Sequence, residues 1–190
     1  MFRRGFKSWC EENALKVRQH QKLATTAPLS PFVLARELQV TVVQPGDLKD
    51  LAEDVRRRLL GQHSDCWSAI TIPSKSRPLI VYNPSHSAAR QNSDLMHELA
   101  HILLGHKPTV VFIDPNTNIS LRTYDKGQEE QANWLAGCLL LPREVLLHIK
   151  ATRISDEAAC RHYGVSAKML AYRMNVSGVN IQHKRTQTRD

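Results

Sequence analysis

Long apolar runs are absent from this chain. No segment approaches the roughly 18 consecutive apolar residues that a membrane-spanning helix requires, so no such helix is expected. The basic start, MFRRGFK, is not followed by the apolar stretch of a secretory signal. We therefore expect a cytoplasmic protein with no membrane partner.

Cysteine is scarce and scattered. The four cysteines form no C-x-x-C pair, which argues against a zinc ribbon. Without a signal peptide, reduced thiols are the default expectation. Internal repeats and low-complexity segments are also missing. With 190 residues, 42% of them hydrophobic and 23% charged, the sequence fits one globular domain with a substantial core.

The net charge of +8 is concentrated at the two ends of the chain. Residues 1–22 and 143–190 carry the excess of Lys and Arg, whereas the middle is nearly balanced. The last residues, HKRTQTRD, offer cations to nucleic acid or to an acidic partner. A solvated, flexible tail is the favoured interpretation.

Hydrophobic spacing and turn residues predict an α+β fold, with a small sheet packed on the helix that carries the motif described below. We expect an N-terminal helical segment (1–22), a core (23–150), a C-terminal helix pair in the same domain (151–178) and a basic flexible tail (179–190). Ser30, Ser155 and Ser166 are expected to cap helices, and Pro142 to open one. Helices are predicted at 5–21, 47–60, 88–104 and 127–141, strands at 40–43 and 109–113, and a strand pair within 68–83.

The segment DLMHELAHILLGH, residues 94–106, contains the pattern H-E-x-x-H. His97 and His101 are four residues apart, so on a helix they share one face and can bind one zinc ion. Glu98 stands next to the first of them, where its carboxylate can take a proton from a zinc-bound water. The alternative is a core helix with hydrogen-bonded histidines. The helix-compatible surroundings and the preceding strand pair favour a peptidase-type metal site.

A catalytic zinc needs a third protein ligand and one open position. The candidates are His106, just past the motif, and the acidic pair Glu129 and Glu130. We favour Glu129, because Asn133 lies one helical turn after it and is placed to hydrogen-bond a ligand imidazole. The glycine before His106 can turn the chain away from the site.

Two segments together resemble the ImmA/IrrE family of small zinc metallopeptidases. They are NPSHSAARQNSDLMHELAHILLGH, at 83–106, and EEQANWLAGCLLLP, at 129–142. The resemblance runs from about residue 5 to residue 175, with two small departures: SDLM lacks the usual aromatic residue, and an alanine precedes the second histidine in place of glycine. The matching positions are Asn83, Arg90, His97, Glu98, Leu99, His101, Leu104, Gly105, His106, Glu129, Ala132, Asn133, Ala136, Leu139, Leu140 and Pro142.

The resemblance implies a zincin-like metallopeptidase domain with one Zn²⁺ per chain. His97, His101 and Glu129 would bind the ion, and Glu98 would be the general base. The family's activity is the cleavage of a partner transcription regulator, often a helix-turn-helix repressor, which releases genes of mobile elements or of stress response. Because no helix-turn-helix domain precedes the peptidase core here, we expect the repressor to be a separate protein. Its identity and the scissile bond stay open, as does the oligomeric state.

Other polar residues near the motif have two interpretations each. Arg90 could clamp a substrate carboxylate or oxyanion, but a structural tie between its helix and a neighbouring loop is favoured. Tyr82, Asn83 and His86 stand between the predicted strand and the motif helix, and any of them could stabilise an oxyanion.

The helix pair after Ser155 has the outline of a DNA-binding helix-turn-helix unit. Arg161, His162, Lys168 and Arg173 could approach phosphates. A packed end of the domain is favoured over DNA binding, because a single such unit offers little affinity. The alternative function is accordingly a non-catalytic, zinc-stabilised regulatory module that binds DNA or a regulator protein.

Overall fold

Two packed helices, α4 (Ala88–Leu103) and α5 (Lys126–Leu140), form the centre of the molecule. The structure is a computed structural model that describes residues 2–49, 51–61, 66–72, 77–106, 111–113, 120–122 and 125–181. One side of α4 is buried, through Leu95, Met96, Leu99 and Ala100. Helix α5 is buried almost all round from Trp134 to Leu140, as expected of a helix with neighbours on several sides.

The other helices surround this pair. α1 packs along α5, α2 contacts α4, and α7 packs with α8 near the end of α5. Their bounds are α1 (Phe6–His20), α2 (Pro31–Glu37), α3 (Glu53–Leu60), α6 (Arg143–Thr152), α7 (Asp156–Tyr163) and α8 (Ala167–Val176). None of the helices in the described part of the chain has the length and apolar character needed to cross a membrane.

Side-chain caps fix where several helices begin. Ser30, Ser155 and Ser166 each accept a hydrogen bond from a backbone N–H in the first turn of α2, α7 and α8. Such a bond satisfies one of the free donors at a helix start. The three predicted caps are therefore confirmed, and Pro142 stands at the N-cap of α6 as expected.

The main sheet has three short strands in the order β1 (Thr41–Val43), β3 (Leu79–Tyr82), β2 (Ala69–Ile72). Strand β1 runs parallel to β3, and β2 runs antiparallel to it, with Ile70 opposite Val81. Because β2 pairs only with β3, it is an edge strand of the sheet as described. Both β2 and β3 contact α4, which confirms a small sheet packed on the motif helix.

The sequence-based boundaries fail in two places. The helix predicted at 47–60 begins only at Glu53. Residues Pro45–Asp47 form a separate 3-10 turn instead, because the Asp47 side chain accepts a hydrogen bond from the Gln44 N–H. Leu48, which follows the turn, is extended. A second small sheet pairs β4 (Val111–Ile113) with β5 (Ser120–Arg122), and β5 was not predicted. Residues 109–110 of the predicted strand 109–113 lie outside the described residues.

Two buried arginines connect α1 and α8 to the end of α5. Arg18 of α1 donates to the carbonyl of Leu140 (3.3 Å), and Arg173 of α8 donates to that of Leu141 (3.0 Å). These carbonyls end α5, where unpaired C=O groups and the helix dipole favour a positive charge. Burial lowers the pKa of Arg18 to about 10, so the guanidinium keeps its charge at neutral pH.

The buried position of Arg173 corrects one expectation. Its side chain is fully buried and pairs with Glu11 of α1 at 2.6 Å, so it cannot approach a phosphate of DNA. Gly137 of α5 makes room for it, since a Cβ there would lie 2.9 Å from Arg173 Cδ. Arg161, His162 and Lys168 are exposed, as the sequence interpretation assumed.

Candidate metal centre

The two motif histidines project from the same face of α4. His97 Nε2 and His101 Nε2 lie 3.1 Å apart, and the rings meet edge to face with centroids 4.7 Å apart. The opposite face of the helix is buried by Leu95 and Leu99, which turns both imidazoles toward α5. This is the arrangement that a spacing of four residues predicts for a helix.

Helix α5 brings a carboxylate to the same point. Glu129 Oε2 lies 3.1 Å from His97 Nε2, and Glu129 Oε1 lies 3.5 Å from His101 Nε2. One donor atom from each residue falls within 4.8 Å of the others. Glu130 is exposed and takes no part in this group. Two imidazole nitrogens and one carboxylate are a ligand set suited to Zn²⁺, although ligand type alone also admits other first-row ions.

The protonation state of His101 suits metal binding. Burial, followed by the neighbouring His97, lowers the pKa of its imidazole to about 4. The ring is therefore neutral across the physiological range and keeps a lone pair for a metal. Because metal ligands bind in their deprotonated form, this state favours occupancy at neutral pH.

Glu98 follows His97 on α4 and lines the cleft described below. Burial raises the pKa of its carboxyl, and a hydrogen bond from Thr71 Oγ1 to Glu98 Oε2 (2.5 Å) opposes part of that rise. Thr71 belongs to the edge strand β2, so this bond connects the motif helix to the sheet. Sequence inspection did not single out Thr71, because nothing local links a strand residue to a helix residue 27 positions later.

His97, Glu98 and Glu129 line a cleft of about 700 Å³. Its size lies within the range of ligand-binding pockets. One wall is made by the first residues of β2 and the segment before it, and another by α4 and α5. The lining residues are Leu59, Cys66, Trp67, Ser68, Ala69, Ile70, Arg90, Ser93, Asp94, His97, Glu98, Glu129 and Asn133.

Gly105 does not turn His106 away from the motif, as the sequence had suggested. It turns the chain back, and His106 Nδ1 comes to lie 3.0 Å from His101 Nδ1. The other ring nitrogen of His106 lies 3.1 Å from Gln131 Oε1 of α5. His106 thus contacts the far side of a candidate ligand without joining the group of donor atoms.

Asn133 does not make the hydrogen bond expected of it. Its side chain is exposed on the cleft wall. His97 Nδ1, on one of the two ligand imidazoles, is buried and has no hydrogen-bond partner among the described residues. His101 Nδ1 faces His106 instead. The i, i+4 relation to Glu129 places Asn133 at the cleft, but the distance between α4 and α5 is a tertiary property that this spacing does not determine.

Arg90 has the structural role that was favoured for it. Its guanidinium donates to Ser68 Oγ at 3.2 Å and lies 3.7 Å from Asp94 Oδ2. It therefore joins α4 to the segment that leads into β2. Because it also borders the cleft, its exposed side remains available to a bound molecule.

The three oxyanion candidates near the end of β3 face other partners. The ring of Tyr82 packs edge to face on Phe32 at 5.6 Å and does not line the cleft. Asn83 is buried and donates to the carbonyl of Trp67. His86 is also buried, with Nδ1 3.3 Å from Asp94 Oδ2. These side chains brace the strand-to-helix connection beside the cleft.

Comparisons with known proteins agree with this geometry. The family model of Peptidase_M78, described as the IrrE N-terminal-like domain, matches residues 35–175. No curated protein matches the chain. Seven solved chains do. One is a Mycobacterium tuberculosis transcriptional regulator, similar at 15% identity with a TM-score of 0.53. The match covers 87% of this chain and 46% of that structure, so this chain spans about half of its length.

Proposed function

This chain belongs to the Peptidase_M78 family of IrrE N-terminal-like domains, and from that premise we propose that it is a zinc-dependent endopeptidase of narrow specificity. The observation that carries the proposal is the convergence of His97, His101 and Glu129 beside Glu98, at the wall of an open cleft. Three protein ligands with one position left for water or substrate are typical of catalytic zinc sites, whereas structural sites are usually closed by a fourth protein ligand.

No further His, Cys, Asp or Glu among the described residues joins the three candidate ligands. His106 is the nearest additional imidazole, and both of its nitrogens face other groups, His101 and Gln131. This supports an open site. When bound there, zinc would lower the pKa of a water molecule and polarise the scissile carbonyl.

Glu98 would act as the general base and then as the general acid. Its raised pKa makes it a stronger base than an exposed carboxylate, so it can take a proton from the attacking water and return it to the leaving amine. Strand β2 holds this carboxyl beside the cleft through the hydrogen bond from Thr71 Oγ1 to Oε2.

An extended peptide is the substrate form that the cleft wall suits best. Strand β2 is an edge strand in the described sheet, and its backbone can pair with a peptide added alongside it. Ile70 and Ile72 of this strand are exposed to 37% and 43%, which is high for isoleucine. They would contact alternate side chains of the peptide.

We propose that the substrate is a separate transcription regulator of the helix-turn-helix type, and that cleavage takes place in the cytoplasm. The family resemblance motivates this choice. The similar solved structure is that of a transcriptional regulator, which agrees with a role in transcription. DNA is not expected to be the partner.

The test is a search for new protein N-termini. Zinc-loaded wild-type protein and the Glu98→Gln variant are each incubated with extract from the native host, and the N-termini that appear are identified by labelling and mass spectrometry. We expect cleavage in a helix-turn-helix regulator with the wild type, slowed by about 100-fold to 10,000-fold in the variant. Equal product with both proteins would contradict the proposed mechanism. No product with either would favour the non-catalytic regulatory module.

A further inference from the structure

We propose that His106 and Gln131 form a hydrogen-bond chain that holds His101 in the tautomer whose Nε2 can bind a metal. His106 is then a positioning residue for a ligand, and not itself a ligand. This inference rests on the proposed metal site and adds to it two residues that act through His101.

The turn after α4 fixes the position of His106. Gly105 has φ of +64°, a conformation that glycine adopts at little cost. The Gly105 N–H donates to the carbonyl of Ile102, and the His106 N–H donates to that of His101, both at 3.0 Å. These two bonds form a Schellman ending. As a result, the His106 ring meets the His101 ring edge to face, with centroids 5.0 Å apart.

The hydrogens along this chain have one arrangement that allows metal binding. Gln131 Oε1 can only accept, so His106 Nε2 carries the hydrogen and donates to it over 3.1 Å. A neutral His106 then has its lone pair on Nδ1, which accepts from His101 Nδ1–H over 3.0 Å. His101 Nε2 is left with its lone pair, and this atom faces His97 and Glu129. With the opposite amide orientation every donor would be reversed, and His101 Nε2 would carry a hydrogen.

The second candidate ligand lacks such support. His97 Nδ1 is buried and, in the parts of the chain described, has no hydrogen-bond partner. The orienting hydrogen bonds are therefore concentrated on His101. Helix α5 supplies both the carboxylate of Glu129 and, two residues later, the amide of Gln131. Packing of α5 on α4 therefore brings two groups to the site together: Glu129, a candidate ligand, and Gln131, which supports His101 through His106.

Zinc affinity of the full chain, measured by competition with a chromophoric chelator, tests the proposal. His106→Phe keeps a flat ring but removes the acceptor, and Gln131→Lys replaces the acceptor with a donor. Each is expected to weaken zinc binding by about 10- to 100-fold, the usual effect of losing such an outer partner. His106→Asn and Gln131→Glu each keep an acceptor and should bind close to the wild-type value. Glu130→Gln, at an exposed neighbour, changes the charge by +1 as Gln131→Lys does, so it is the charge-matched control and should bind zinc as the wild type does.

Three results would overturn the proposal. Wild-type affinity in both His106→Phe and Gln131→Lys would mean that the chain has no effect on His101. Zinc loss in His106→Asn as complete as in His101→Ala would make His106 a ligand. A wild type that binds no zinc would remove the proposed site as well, so the two failures are distinguishable.

The absorption bands of the Co²⁺-substituted proteins separate positioning from ligation. We expect His106→Asn and Gln131→Glu to keep the wild-type band positions and intensities, because the ligand set is unchanged. A new spectrum in His106→Asn would indicate a lost ligand and contradict the proposal. If His106→Phe fails to fold, the pair of Gln131 variants still decides the matter, since that side chain is only half-buried.

Discussion

At the scale of single residues, the environment of Glu98 determines its chemistry. The carboxyl is buried beside the candidate metal ligands, and burial raises its pKa in spite of the hydrogen bond from Thr71. A buried carboxylate that must ionise is useful for catalysis and unfavourable for stability. The same property therefore has two measurable consequences, one in cleavage and one in folding.

The folding consequence is a pH-dependent effect of Glu98→Gln. The pKa of Glu98 is 4.5 in the unfolded chain and is raised in the folded protein. Between these two pKa values the carboxyl ionises more readily in the unfolded chain, so the wild type loses stability there as pH rises. The variant carries no such charge, and its amide oxygen can still accept from Thr71. We expect metal-free Glu98→Gln to become more stable than metal-free wild type as pH is raised, with the difference smallest near pH 4.5. Urea unfolding over that range measures it.

Glu130→Gln is the matched control, since Glu130 is exposed on the neighbouring helix. Its effect should stay within about 0.5 kcal/mol at every pH. A Glu98→Gln variant that is less stable than wild type at pH 8, or equally shifted at all pH values, would show that Glu98 has no burial cost.

Local spacing predicts some residues of the site, and tertiary contact decides the rest. The interval of four residues places His97 and His101 on one face, and it is confirmed by their 3.1 Å separation. No such rule connects Thr71 with Glu98, or His106 with Gln131, because these pairs meet only when β2 and α5 pack against α4. The expected bond from Asn133 fails for the same reason.

At the scale of elements, α8 is held to the rest of the domain by a buried ion pair. Arg173 donates to Glu11 of α1 and to the carbonyl of Leu141, which follows α5. Glu11 in turn accepts from the Arg143 N–H at the start of α6. Four helices thus meet at one carboxylate and one guanidinium. The helix-turn-helix outline of α7 and α8 is consequently used, at this position, for packing.

Loss of this pair should be costly. Arg173→Leu leaves the Glu11 carboxylate and the Leu141 carbonyl without their partner, and we expect it to lower the free energy of unfolding by about 3–5 kcal/mol. Arg161→Ala removes an exposed cation from the adjacent helix and should change it by less than about 0.5 kcal/mol. Chemical denaturation of both variants provides the comparison. Equal stabilities would mean that the pair does not hold α8 in place.

Helix positions were more predictable than strand positions. Capping serines mark helix starts through local hydrogen bonds, and the proline before α6 does so through its fixed φ; a sequence displays both directly. The late start of α3 depends on the side-chain bond that closes the turn at Asp47, and this competes with helix formation. Strand β5 is three residues long and exists through pairing with β4, so it has little signal of its own.

At the scale of the whole molecule, the N-terminal helix is part of the same packed unit as the family domain. The family match begins at residue 35, yet α1 packs along α5 and places Cys10, Ala14 and Arg18 in the interior. Arg18 adds a hydrogen bond, to the carbonyl of Leu140 at the end of α5, to this apolar contact. The scaffold that positions Glu129 therefore includes residues that precede the matched domain.

The metal content of the purified wild type, beside Glu129→Ala and Glu130→Ala, tests the central claim most directly. We predict about one zinc per chain in the wild type and in Glu130→Ala, and none in Glu129→Ala, because only Glu129 meets both motif histidines. A wild type without metal, or a Glu129→Ala variant that retains a full equivalent, would contradict the assignment of His97, His101 and Glu129 as the zinc site of a peptidase.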